Sequence, residues 1–220
     1  MEVTTILAPT HNPRVLLHVR PDRPADFVVL REVWCEDVYH VHDRIRDAHL
    51  VVDVGANIGS FTCFALEMAP QACVVSIEPE PHNLELLRMN INRVDPLRCM
   101  IITEAVSDFT GKATINDDAG GSRLGAGGAE VTVKPLDILL EDRDLLGKPI
   151  DILKIDIEGS EVPVVLNMSR TLQESIKFLC MELEHNSGCF GQLLEKLSET
   201  HKLTTLGAAS RGAQLFCERY

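Results

Sequence analysis

The spacing of apolar residues changes along this chain in a way that separates strands from helices. From residue 50 onward the change is regular. "LVVDVG" (50–55), "CVVSIEP" (73–79), "CMIITEAV" (99–106), "DILKIDI" (151–157) and "FLCMELE" (178–184) are short apolar runs of buried-strand length. Between them apolar positions recur at helical intervals: Phe61, Phe64, Ala65 and Met68, then Leu84, Leu87, Ile91 and Val94. "SEVPVVLNM" and "QLLEKLSETH" (192–201) read as further helices. "KLTTL" and "QLFCERY", joined by "GAASRGA", close the chain as two strands. Strands alternating with helices predict an α/β fold: a doubly wound, mostly parallel seven-stranded sheet, covered on both faces and ending in an antiparallel hairpin.

Two regions break the rhythm. Residues 1–48 mix "RVLLHVRP" with "DFVVLREVWCEDVYHVH", a short strand followed by a helix or hairpin, punctuated by Pro13, Pro21 and Pro24. Residues 107–150 are too long for a simple crossover. They carry "KATIND", the Gly-rich "AGGSRLGAGG" and "AEVTVKPL", which predict a β-hairpin inserted before the fourth strand. The expected division is an N-terminal segment, 1–48, as a candidate lid or substrate cap, and one domain over 49–220.

Composition narrows the partners. The length of 220 residues fits one domain of moderate size. A net charge of −12 argues against nucleic acid and anionic membrane as partners. Seven scattered cysteines without a CxxC read as buried free thiols, neither a disulfide frame nor a zinc site, and point to a cytoplasmic setting. No apolar run reaches membrane-spanning length.

The first glycine turn discriminates between ligands. "VVDVGANIGS" (51–60) holds Asp53, Gly55 and Gly59 in D-x-G-x-x-x-G spacing. A dinucleotide fingerprint needs glycines where Asn57 and Ser60 stand, and there is no P-loop lysine. Asp53 at a strand end suits a ligand ammonium. The following helix N-terminus suits a carboxylate. Gly55 allows a tight turn, and Gly59 is expected to let the backbone approach the ligand. Glu78, ending the next strand, suits ribose hydroxyls. Ala56 and Asn57 complete the first turn and Pro79 the second. Glu104 and Ala105, at the third strand end, lie where a purine would rest. An amino acid, a ribose and a purine in one ligand make S-adenosylmethionine, with S-adenosylhomocysteine as the product.

"VVDVGANIGSFT", "VVSIEPEPHNLELLRMNI" and "LKIDIEGSE" together resemble FkbM-family methyltransferases, from about residue 28 to the C-terminus. "REVWCEDVYHVH" and "VTVKPLDILLED" extend the likeness. The resemblance implies a class I, Rossmann-like, S-adenosylmethionine-dependent enzyme that O-methylates natural products or sugars. It implies that Asp53, Gly55, Asn57, Gly59 and Glu78 bind cofactor, and that Asp156 and Glu158 face the transfer site. Two departures stand out: Pro163 replaces a helix former, and the N-terminal segment lacks the substrate-binding extensions of some relatives.

"LKIDIEGSE" also stands out on physical grounds. Lys154, Asp156, Glu158 and Glu161 crowd the end of a strand that should be buried. Asp156 is the first candidate to orient an acceptor hydroxyl or take its proton, beside the cofactor, with a structural ion pair to Lys154 as the alternative. Glu158 is a second candidate base or a helix cap, and Glu161 a helix-dipole residue. Lys154 is expected to orient the carboxylates. Glu184 and His185 in "MELEH" could line the same cleft, His185 as a further base. The spacing of Asp156, Glu184 and His185 is not diagnostic of a metal, and none is assigned. Tyr39, His40 and His42 are lid candidates, as is the tract 120–128. The function expected is O-methylation of a small-molecule hydroxyl. The alternatives are a Rossmann-type oxidoreductase and an inactive cofactor-binding partner subunit.

Overall fold

A computed structural model describes residues 2–8, 15–118, 121–125, 127–183, 189–208 and 212–220. The N-terminal segment forms β1 (Thr4–Leu7), β2 (Leu16–Val19) and α1 (Pro24–Arg31), followed by a π-helical turn at Glu32–Glu36. Then come β3 (Leu50–Val54), α2 (Ser60–Met68), β4 (Cys73–Ile77), α3 (Pro81–Val94), β5 (Cys99–Ile102) and β6 (Ala105–Val106). The inserted region holds β7 (Gly111–Asp118), β8 (Gly121–Gly125) and β9 (Ala129–Lys134), followed by α4 (Leu136–Glu141). The chain closes with β10 (Ile150–Ile155), α5 (Glu161–Asn167), α6 (Arg170–Ser175), β11 (Ile176–Leu183), α7 (Phe190–Ser198), β12 (His201–Ala208) and β13 (Gly212–Arg219).

The central sheet has the order β12-β13-β11-β10-β3-β4-β5. β3, β4, β5, β10 and β11 run parallel, and β13 is antiparallel to both of its neighbours. The strand order reverses between β3 and β10, so ligand is expected outside the carboxyl ends of those two strands. Alternation along the strands divides the core. Val51, Val74, Ile152 and Phe178 face α2, α3 and the N-terminal segment. Val52, Val54, Leu153, Ile155 and Leu179 face α4 to α7. The described part of the N-terminal segment therefore belongs to the packed core: Leu17, Val19, Leu30 and Trp34 are buried in it.

Three expectations change. The inserted hairpin is a four-stranded sheet, β6-β9-β7-β8, because β6 leaves the line of β5 and pairs with β9. The tract 120–128, expected as a flap over the substrate or a plain hairpin turn, contributes β8, paired with β7; Gly120 and Ala126 lie outside the described residues. Only Cys63, Cys180 and Cys217 of the seven cysteines are buried, while Cys35, Cys73 and Cys189 are exposed.

In the turn that follows β3, glycine is required at two places. Gly55 has φ +81°, and a Cβ there would lie 1.8 Å from the Asp156 carbonyl oxygen. Gly59 has φ +88°, and its Cβ would meet Leu87 Cδ1 at 2.7 Å. Gly59 thus serves the packing of α3 against α2, where ligand approach was expected. Gly59→Ala should cost about 1–3 kcal/mol, the strain of a left-handed non-glycine residue, because a leucine methyl can move aside. Gly55→Ala meets backbone and should cost clearly more, about 4 kcal/mol or above. Urea unfolding of the two variants checks the ranking, and equal losses would refute it.

Candidate active site

The carboxyl ends of β3, β4, β10 and β11 open on a cavity of about 420 Å³. α1 lines one wall with Ala25, Val28 and Val29, and Glu32 continues that face one turn on, the spacing of a single helical side. The inserted sheet contributes Ile115 and Leu124.

A buried ion pair lies under the floor. Register places Lys154 beside Asp53 on β3 and beside Cys180 on β11. The Lys154 Nζ lies 3.1 Å from Asp53 Oδ1, donates to the Gly55 carbonyl at 2.6 Å, and lies 3.9 Å from Asp156 Oδ2. The Thr62 hydroxyl donates to Asp53 Oδ2 at 2.7 Å. Burial alone would lower the Lys154 ammonium, but Asp53 and Asp156 outweigh it and hold the group above its usual range. Lys154 is therefore held as a cation between two carboxylates and the Gly55 carbonyl.

Glu78 ends β4 with both oxygens engaged by backbone. The Asn57 N–H donates to Oε2 at 2.8 Å and the Glu80 N–H to Oε1 at 2.9 Å. Burial pushes this carboxyl up to about 7, against the pull of those two N–H groups. Each oxygen keeps a second lone pair. Asn57 stands in left-handed backbone at φ 52°, and its side-chain Oδ1 is buried without a partner among the described residues.

At the other end Tyr39 donates to Asp156 Oδ2 at 2.7 Å, and the Lys154 ammonium lies 5.5 Å from the Tyr39 ring centroid. Glu182 lies two residues beyond the Lys154–Cys180 register pair, level with Asp156, and lines the cavity. Burial, with Asp156, Glu158 and Glu32 nearby, pushes Glu182 up to about 8. Glu158, at φ 56°, also lines the cavity. Glu161 is buried and accepts from the Ile157 and Gly159 N–H groups, each at 3.0 Å, closing the loop before α5. Ser160 occupies the N-cap position without a side-chain bond.

Of the expected site residues, Gly55, Ala56, Asn57, Glu78, Pro79, Ala105, Lys154, Asp156 and Glu158 line the cavity. Asp53, Gly59 and Glu104 do not. Asp53 is fully buried behind Lys154, and Glu104 turns to Arg143 at 3.5 Å. Glu184 and His185 lie outside the described residues. His40 stacks on Phe216 and His42 on Phe64, away from the cavity lining. Sequence reasoning missed Glu182. Its signal was the register between β10 and β11, which "MELEH" alone does not reveal.

Strand order and cavity together define a Rossmann-like α/β fold with a ligand cavity at the point where the strand order reverses. Residues 53–205 match the family model described as the methyltransferase FkbM domain, and the chain belongs to that family of S-adenosylmethionine-dependent enzymes. The hexuronic acid methyltransferase AglP of Haloferax volcanii is 28% identical over 189 residues, which cover 80% of this chain and 75% of that one. The 31-O-demethyl-FK506 methyltransferase FkbM of Streptomyces tacrolimicus is 27% identical over 205 residues, 76% and 78% of the two chains. In fold, human methyltransferase-like protein 13, solved with SAH, is similar at a TM-score of 0.52 and 13% identity over 84% of this chain and 81% of that one. No helix among the described residues is long and apolar enough to cross a membrane.

Lys154→Met leaves Asp53 buried without its counter-charge and should cost about 3–5 kcal/mol. Adding Asp53→Asn, which keeps an acceptor for Thr62, should restore most of that loss. A double-mutant cycle by urea unfolding measures it, and additive losses would count against the pair.

Proposed function

We propose that this chain methylates a hydroxyl of a small, sugar-like or natural-product acceptor, drawing the methyl from S-adenosylmethionine. The observation that carries the reading is one cavity with Glu78 at one strand end and Asp156 with Glu182 at the ends of two others. The residues fit the cofactor. Glu78 has spare lone pairs for ribose hydroxyls, and the orphaned Asn57 Oδ1 suits an ammonium, the role first assigned to Asp53. Bound there, the cofactor supplies a methyl on a sulfonium, which passes in line to the acceptor oxygen as the carbon–sulfur bond breaks.

The protein's part is positioning and proton removal. Tyr39 and Lys154 fix Asp156 Oδ2, so Oδ1 is the oxygen that orients the acceptor hydroxyl. Glu182 accepts the hydroxyl proton as the new C–O bond forms. A carboxyl near 8 is well matched to that task at neutral pH. Glu158 contacts the acceptor. Residues 1–48 act as the cap, since α1 and Tyr39 line one wall. The net charge of −12 supports a small-molecule acceptor over a nucleic acid.

Calorimetric titration with S-adenosylhomocysteine should show micromolar binding to the wild type, weakened at least tenfold in Glu78→Ala, on the scale of a lost charged hydrogen bond. Ribose hydroxyls donate to the ionised carboxylate. Affinity should therefore fall as pH drops below about 7, approaching tenfold per unit, and be flat in Glu78→Gln. No wild-type binding at millimolar ligand would overturn the reading.

Turnover on a panel of sugars and hydroxylated small molecules should rise with pH through about 8 as Glu182 deprotonates. Glu182→Gln should abolish that limb and lower kcat by about 10²-fold or more. An unchanged profile would remove Glu182 as the base. Binding without turnover across the panel would favour an inactive partner subunit.

A further inference from the structure

Arg20 is an arginine on the cavity wall that no part of the mechanism uses. It is 95% buried, with a relative exposure of 5%. Its Nε and Nη2 donate to the two carboxylate oxygens of Asp26 at 2.9 and 2.6 Å, and the Asp26 Oδ2 also accepts the Arg20 backbone N–H at 2.8 Å. That fork fixes the guanidinium and balances its charge. The remaining nitrogen, Nη1, is buried without a hydrogen-bond partner in the described structure. A charged donor left unpaired is expensive unless a ligand completes it.

Its place along the cavity indicates which ligand atom it meets. Glu32, just past the C-terminal end of α1, stands close enough to Glu182 to raise that carboxyl, so this end lies over the acceptor side. Arg20 precedes the opposite end. β2, which leads into it, runs along α3: the His18 N–H donates to Asn90 Oδ1 at 2.6 Å, and Arg93 Nε donates to the Leu16 carbonyl at 3.2 Å. α3 starts directly after Glu78-Pro79-Glu80, and Asn83 in its first turn shares the cavity wall with Arg20 and Glu78. Arg20 thus lies on the Glu78 side.

We propose that Arg20 is the second half of a ribose clamp, with Nη1 donating to a ribose oxygen while Glu78 accepts from a ribose hydroxyl. A ribose hydroxyl both donates and accepts, and Glu78 supplies only acceptors when ionised. The Arg20–Asp26 pair is net neutral, which suits an uncharged oxygen better than a carboxylate. The assignment rests on the cofactor reading above and adds to it a residue from outside the family-matched span, which begins at residue 53.

The test is calorimetric titration of wild type, Arg20→Gln and Arg20→Lys with four probes: S-adenosylhomocysteine, 5′-methylthioadenosine, and the 2′- and 3′-deoxy forms of the latter. Thermal midpoints are taken alongside, and Arg20→Lys is the readout should Arg20→Gln fail to fold. Removing the guanidinium should weaken both S-adenosylhomocysteine and methylthioadenosine by the same factor, about tenfold. The deoxy penalty should be smaller in the variants than in wild type for the hydroxyl that Arg20 contacts, a coupling that a merely structural role would not produce. Three results would overturn the clamp: unchanged affinities, a loss confined to S-adenosylhomocysteine, or deoxy penalties as large in the variants as in wild type. A wild type that binds none of the probes would instead sink the cofactor reading, and the clamp with it.

Discussion

A lysine ammonium held at the meeting of two parallel strands organises this active-site region. Lys154 reaches Asp53 on the neighbouring strand, the Gly55 carbonyl in the turn above it, and the Asp156 carboxylate that follows its own strand. Each contact depends on the others. Gly55 must lack a Cβ for its turn to lie against the Asp156 backbone, and that closeness brings its carbonyl to the ammonium. A buried ion pair adds little net stability over apolar packing, but it is costly to break. Its value here is geometric: it locks the ends of β3 and β10 in the register that the cavity requires.

The cavity is electrostatically two-sided. Glu78 keeps an ordinary structural role through two backbone N–H groups yet carries a desolvated carboxyl near 7. Glu182 reaches about 8 for an additional reason, the surrounding carboxylates of Asp156, Glu158 and Glu32. Two acids of the same residue type are thus tuned by different neighbours, one by burial against N–H donors and one by burial among like charges. Separation of such groups along one cleft is how a site can bind at one end and move a proton at the other.

The N-terminal segment is part of this arrangement. Its apolar residues join the core on the α2–α3 face, while α1, Tyr39 and Arg20 turn toward the cavity. The family model matches from residue 53, so these lining residues lie ahead of the matched span.

Much of this was legible in the linear pattern. The seven strand runs and the helical stripes around Phe61 and Leu84 mark the α/β alternation because buried strands and amphipathic helices leave different periodicities. Glu78 and Asp156 could be marked as candidate site residues because each follows the end of a strand, and Asn57 through the family resemblance. Other features depended on pairing between distant segments. Asp53 looked like a ligand contact, but only the register with β10 shows that Lys154 claims it. Gly59 looked like a point of backbone approach to the ligand, but what packs on it is Leu87 of α3. Nothing in the string "MELEH" marks Glu182, and the parallel pairing of β10 with β11 brings it level with Asp156. The sequence by itself determined which residues can be strand ends, turns and charges. The tertiary structure decided which charges face each other, because register and side-chain direction are set by contacts across tens to more than a hundred residues that no local pattern encodes.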